Sequence, residues 1–207
     1  ETTGDLSPFQ IVSNIITMEV QCIQETLRQL DRKAVEAAVD ALNQARKVLL
    51  VGMGATSAAA STGAYRLVLL GIDAVWLSDP YALVAQANLL SEGDVVVGIF
   101  YHGQARTICE TLQIARANGA TAIALTAAPN SPLAKSADIC LTVVSPAPLF
   151  TVGQFSARVV GVLLMDALVA AVAWARHQGT PTQLLKTFEL QREFLEYHEG
   201  SAKASRS

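Results

Sequence analysis

The chain carries little charge and no strong bias of sign. Asp, Glu, Lys and Arg make up 16% of its 207 residues, with 15 Lys+Arg against 18 Asp+Glu. No basic stripe breaks that balance, which excludes a surface built to neutralise a phosphate backbone. Cysteine is scarce as well. Cys22, Cys109 and Cys140 are odd in number, lack metal-ligand spacing and lie in apolar periodic stretches, so they read as reduced core residues and no metal site is expected. No hydrophobic run is long enough to span a bilayer: Val159 to Ala173 is the most apolar stretch, includes Asp166, and falls short of the roughly 20 residues a span requires. A buried helix, at a subunit contact, is expected there rather than a membrane segment. The amino end, ETTGDLSPF, has neither a basic n-region nor an apolar h-region, so a cytoplasmic protein is expected. Solenoid-length repeats and composition shifts are also missing, which leaves one domain.

What the chain does have is 51% apolar residues, enough to exclude disorder over most of its length and to build a sizeable core. These residues fall into two periods. Ser7-Pro8 caps a helix on which Ile11, Ile15, Ile16, Val20, Ile23 and Leu27 share a face, and a second helix is predicted from Asp31 to about Ala45. Short apolar runs then predict five strands: Lys47 to Val51, Asp73 to Leu77, Val95 to Phe100, Thr121 to Leu125 and Ile139 to Val144. Helical segments separate them. One runs from Ala55 to Leu70 and is closed by Gly71, one opens at Ser78-Asp79-Pro80, one covers Thr107 to Asn118, and a short one is capped at Asn130-Ser131-Pro132. A long helix from about Gly153 to His177 and a last one from Thr180 to about Tyr197 close the chain, leaving GSAKASRS as a frayed tail.

Strands alternating with helices predict an α/β protein, a three-layer α/β/α sandwich on a parallel sheet. The expected organisation is amino-terminal helices over 1–45, a core with its carboxyl-terminal helices over 46–198, and a flexible tail over 199–207. If the strand order is 2-1-3-4-5, two glycine-containing loops flank one crevice: Gly52 to Ser57 after the first strand and Tyr101 to Arg106 after the third. A crevice of that kind, with helix amino ends opening onto it, favours a small anion. Gly54 and Gly103 would let backbone approach the ligand, and Thr56, Ser57, Gln104 and Thr107 offer donors to phosphate oxygens.

Other readings stay open. Glycines after strands also make plain tight turns. Gly52-x-Gly54 with Asp79 after the second strand resembles part of a dinucleotide fingerprint, but Ser57 stands where its third glycine belongs. His102, the titratable residue of the central loop, could carry a proton in an aldose–ketose isomerisation, donate to a phosphate, or simply sit half exposed. Arg106 could clamp a phosphate or point to solvent. His177 and His198 fall at helix ends, where solvation or the dipole suffices. Arg158 lies in apolar surroundings and requires a partner: Asp166, a carbonyl or a second subunit.

The order of these motifs resembles the SIS (sugar isomerase) domain, and specifically the effector domain of RpiR-type transcriptional regulators. The stretches that carry the likeness are VGMGATSAAASTGAYRLVLLG, WLSDPYALVAQANLLSEGDVVVGIF, GATAIALT, NSPLAKSADICLTV and FSARVVGVLLMDAL. The resemblance implies a flavodoxin-like five-stranded sheet, a homodimer or homotetramer built through the long helices, and a phosphorylated sugar bound by Gly54, Ala55 and Thr56 in the first loop, beside Ser57; no cofactor is expected. In the second loop it implies Tyr101, His102, Gly103, Gln104, Arg106 and Thr107. Here the chain departs from the family's usual S-x-S-G-x-T run, with Phe100, His102 and Ala105 where hydroxyls are expected. Isomerases of this type carry a glutamate before the last long helix, whereas Val144 to Arg158 holds no carboxylate. The implied role is therefore a sensor, with DNA reached only through a domain outside this chain; an isomerase using His102, or a module retaining only oligomerisation, are the alternatives.

Overall fold

A computed structural model of the protein describes residues 7–145 and 155–176, together with Glu189 and Arg192. Helix α1 (Pro8–Gln29) starts at a capping box: the Ser7 hydroxyl accepts from the Gln10 amide, and the Gln10 side chain accepts from the Ser7 amide. Asp31 caps α2 (Arg32–Gln44) by accepting from the amides of Lys33 and Ala34. There follow β1 (Lys47–Gly52), a 3-10 turn (Gly54–Thr56), α3 (Ser57–Leu69), β2 (Asp73–Leu77), α4 (Pro80–Asn88) and β3 (Val95–Ile99). The chain continues through α5 (Arg106–Ala117), β4 (Thr121–Thr126), α6 (Pro132–Lys135), β5 (Ile139–Thr142) and α7 (Phe155–Arg176).

All four strand pairings are parallel, and the order across the sheet is β2-β1-β3-β4-β5. Because successive side chains of a strand point to opposite faces, each strand feeds two cores. Val48 and Leu50 of β1 pack with Ala59, Ala60 and Leu67 of α3, with Leu42 of α2 and with Met165 of α7. Leu49 and Val51 instead meet Leu83 of α4, Ile108 and Leu112 of α5 and Leu133 of α6. The three-layer sandwich expected from the sequence is the fold observed, with α1, α2, α3 and α7 on one face and α4, α5 and α6 on the other.

The expectation that no apolar stretch reaches spanning length is corrected for α7: by length and hydropathy alone Ala157–Arg176, with a mean hydropathy of 1.9, could cross a bilayer. Its packing explains that apolarity otherwise. Ala157, Val160, Met165, Leu168 and Val172 are buried in the first core, and Asp166 pairs with Arg66 of α3 at 3.1 Å. Arg176 ends the helix by donating to the Asn43 side chain, to the Asn43 carbonyl and to the Leu70 carbonyl, tying α7 to the ends of α2 and α3.

Several boundaries differ from the sequence expectation by a residue or two, and three of the shifts have a clear local reason. α3 begins two residues later than expected, because Gly54, at φ +59°, opens a 3-10 turn ahead of it. β3 stops at Ile99, since the Gly103 amide bonds back to the Phe100 carbonyl and closes a turn. β5 stops at Thr142, short of Val144, whose amide donates to Thr26 of α1. Apart from Glu189 and Arg192, the helix expected over 180–197 lies outside the described residues, as do His177, His198 and the tail.

Candidate functional site

The sheet order reverses direction between β1 and β3, so the connections from these neighbouring strands depart to opposite faces: β1 into α3, β3 into α5. Register brings the two exits level. Gly52 lies opposite Ile99, and Met53 and Phe100 therefore leave the sheet side by side.

In the first loop Gly54 and Ala55 are exposed, while Thr56 is buried at 3%. The Thr56 hydroxyl donates to the Met53 carbonyl at 2.9 Å and accepts from the Met53 amide at 3.0 Å. Its proton is thus engaged within the loop in this structure. Ser57 is committed in the same way, its hydroxyl donating to the Gly54 carbonyl at 2.7 Å. Trp76 of β2 adds a brace, its indole N–H donating to the Gly52 carbonyl. What this loop turns outward is main chain.

The second loop is pinned by its backbone. The Tyr101 carbonyl accepts from the Thr126 hydroxyl and from the Ala127 amide, and the Gly103 carbonyl accepts from the Leu133 amide. Gly103 has φ +70°, and a β-carbon there would lie 2.1 Å from Ser131 Oγ, so only glycine fits both the turn and the approach of α6. His102 and Gln104 are exposed, and the His102 ring meets Phe100 edge to face at 6.2 Å between centroids. Arg106 is exposed and bonded to Glu110 at 2.7 Å; that contact raises its already high pKa, so its positive charge is constant. Thr107 is half buried in the first turn of α5.

The Tyr101 side chain is turned inward. It is buried at 3% and faces α7, where its hydroxyl lies 3.5 Å from the Arg158 carbonyl, rather than facing the crevice. Burial pushes its phenol up to about 12, opposed in part by the Arg158 charge. Asp166, offered above as a partner for Arg158, is instead paired with Arg66. Asp79, the residue that kept a dinucleotide reading open, caps α4 by accepting from the Ala82 amide. Burial likewise raises the thiol pKa values of Cys109 and Cys140, consistent with unreactive core cysteines.

One contrast marks the two loops. Side chains cap the amino ends of α1, α2, α4 and α6, whereas α3 and α5 have no side-chain cap. The Ser57 amide at the head of α3 donates to the Gly54 carbonyl, and no side chain takes up the other first-turn amides of the two helices, at the positive ends of their dipoles. A cleft of about 360 Å³ lies alongside rather than between the loops, lined by Gln104, Arg106, Cys109, Glu110, Gln113 and Pro132. The sequence reading missed the supports, Trp76, Thr126 and Ser131. Ser131 carried a signal as a cap before proline; Thr126 could have been found from its place at the end of a strand neighbouring β3.

The family model described as SIS domain matches residues 41–171. The chain belongs to the SIS domain family. An HTH-type transcriptional regulator of Caldanaerobacter subterraneus subsp. tengcongensis is 31% identical over 188 residues, which cover 91% of this chain and 67% of the regulator. The regulator RpiR of Escherichia coli is 26% identical, matched over 90% of this chain and 63% of its own length. The chain thus spans about two thirds of the length of such relatives. Among solved structures, the Vibrio vulnificus NanR protein complexed with ManNAc-6P superposes with a TM-score of 0.82 at 25% identity, covering 93% of this chain and 70% of that one. The sugar isomerase domain of the Sphaerobacter thermophilus RpiR transcription factor gives 0.77 at 28% identity, covering 88% and 99%. This SIS domain is therefore homologous to the corresponding domain of RpiR-type regulators.

Proposed function

We propose that the chain is the phosphosugar-sensing domain of a cytoplasmic RpiR-type transcriptional regulator, and that the phosphate is held at the switch point by the amino ends of α3 and α5. The observation that carries this reading is that these two helices, both at the crevice, lack the side-chain caps found on α1, α2, α4 and α6. Exposed Gly54 and Ala55 offer backbone from one loop, and His102, Gln104, Arg106 and Thr107 border the other. Main-chain amides and a constant guanidinium charge would take over from the family's missing hydroxyls. The NanR complex with ManNAc-6P supports a phosphorylated sugar as the ligand class. We assign DNA contact to the part of the HTH-type relatives that this chain does not match.

Thermal unfolding against a panel of phosphorylated sugars tests the reading. A ligand at a hundredfold excess over its Kd stabilises the folded state by about 2.7 kcal/mol, a shift of several degrees. If no member of the panel shifts the transition, the sensing role falls. Isomerase chemistry would rest on His102, with a carboxylate from a neighbouring subunit, and requires turnover of a ketose phosphate that His102→Ala abolishes.

A homodimer or homotetramer is the expected assembly. The first half of α1 stands clear of the core with Phe9, Val12 and Ile16 exposed, and Pro8 to Met18 contains no charged residue. A lone amphipathic helix gains its stability from packing, so this stripe suits a second copy. Ile16→Glu should leave the helical content unchanged and reduce the molar mass measured by light scattering; an unchanged mass would place the contact elsewhere.

A further inference from the structure

Tyr101 joins three elements at one residue. Its carbonyl is held by β4 through the Thr126 hydroxyl and the Ala127 amide, its backbone leads directly into the exposed turn at His102, and its ring rests on α7. The contact on α7 is at Gly161. A β-carbon at that position would lie 2.2 Å from the Tyr101 hydroxyl and 2.7 Å from two ring carbons, so the ring meets the helix backbone with no room for a methyl group between them. On the other side of α7, Val159 and Leu163 are exposed, at 41% and 45%. The inward and outward faces of one helix therefore carry, respectively, the strut from the second loop and an uncovered apolar surface.

We propose that Tyr101 is a positioning residue that couples the second loop to α7, so that occupancy of the loop and packing on the outer face of α7 bias one another. A packed ring on a backbone step transmits displacement because neither side can yield without the other moving. The loop cannot turn its 101–103 segment without sliding the ring along Gly161, and α7 cannot shift inward without pressing on the ring. The coupling is reciprocal by thermodynamic necessity, so a change confined to α7 alters the loop.

The test is amide hydrogen exchange on the full chain, well below the thermal transition, with Gly161→Ala, Tyr101→Leu, the double variant and Tyr101→Phe. Gly161→Ala displaces the ring, and exchange across 101–107 rises about tenfold while the amides of Val48 to Val51 in β1 keep their protection. In the double variant the ring is already gone, so the alanine adds nothing further; that non-additivity is the signature of coupling. Tyr101→Phe keeps the ring and retains the exchange of the natural chain in both the loop and α7, whereas Tyr101→Leu raises both. Additive effects, a rise shared equally by β1, or a loop unchanged in Gly161→Ala would each overturn the proposal. Should Gly161→Ala not fold, the contrast between Phe and Leu at position 101 still decides it.

A second arm rests on the phosphosugar reading: with a sugar phosphate identified from the panel, Gly161→Ala should weaken binding severalfold from a residue that does not border the crevice. Absence of binding by the natural chain would count against that reading, while the exchange measurements would still decide the coupling.

Discussion

Gly103→Ala puts the largest predicted cost on the smallest change. Position 103 has φ +70°, a conformation that costs a residue with a β-carbon about 1 to 2 kcal/mol. The new methyl would also lie 2.1 Å from Ser131 Oγ and 2.2 Å from Ser131 Cβ, far inside contact distance, and Ser131 is itself buried as the cap of α6. Either the loop moves or the cap is displaced, and overpacking of this kind costs about 1 to 3 kcal/mol. Alanine restricts the unfolded chain and returns about 0.4 to 1 kcal/mol. The net is a loss of about 1 to 5 kcal/mol, or on the order of 2 to 20 °C in melting temperature for a domain of this size. Urea unfolding of Gly103→Ala, Ser131→Gly and the double variant separates the terms. Ser131→Gly removes both clashing atoms, so alanine at 103 should cost about 1 to 3 kcal/mol less in that background. A Gly103→Ala protein within about 0.5 kcal/mol of the natural chain, or a cost that Ser131→Gly does not relieve, would refute the close approach of α6 to the second loop.

Three further outcomes follow from the geometry. Tyr101 has a raised pKa in the folded state, about 12, so its protonated form contributes stability below the ordinary tyrosine pKa that is lost as pH climbs from about 10 to 12. The natural chain should therefore lose up to about 2 kcal/mol more than Tyr101→Phe over that window in parallel thermal scans, and equal losses would show the phenol to be solvated. Thr56→Val removes both bonds to Met53 and should cost about 1 to 2 kcal/mol by urea unfolding, with Thr56→Ser close to the natural chain; indifference to valine would deny the hydroxyl its role in the loop. Asp94, 5% exposed, accepts from the Ser91 amide, the Ser91 hydroxyl and Arg46 just before β3, at the opposite end of the strands from the two loops. Asp94→Ala should lower stability by about 1 to 3 kcal/mol yet leave phosphosugar affinity untouched, and a change in affinity measured by calorimetry would sink that separation of roles.

The layers were legible because a parallel sheet buried on both faces imposes unbroken apolar runs, and KVLLV and VVVGI have little else to be. Caps were legible for a similar reason: Ser7, Asp79 and Ser131 act within three residues of themselves. The meeting of the two loops beside β1 and β3 was legible, but not the contacts within them. Where Thr56 turns its hydroxyl depends on a 3-10 turn opened by Gly54, and where Tyr101 turns its ring depends on a glycine 60 positions away on α7. Sequence spacing has no access to either. Arg158 and Asp166 share a helix and invite pairing on paper, yet Arg66 reaches Asp166 from α3 because the two helices lie against each other.

The bare amino ends of α3 and α5 have an evolutionary consequence. Every residue except proline supplies the same peptide N–H, so a receptor whose grip is written in the main chain leaves its side chains free to diversify. Under the proposed function, Phe100 and His102 would then bear on which sugar is accepted without disturbing the main chain that receives its phosphate. Lineages sharing this scaffold could exchange one metabolic signal for another through a handful of substitutions, and inheritance of the fold would say little about which signal each one hears.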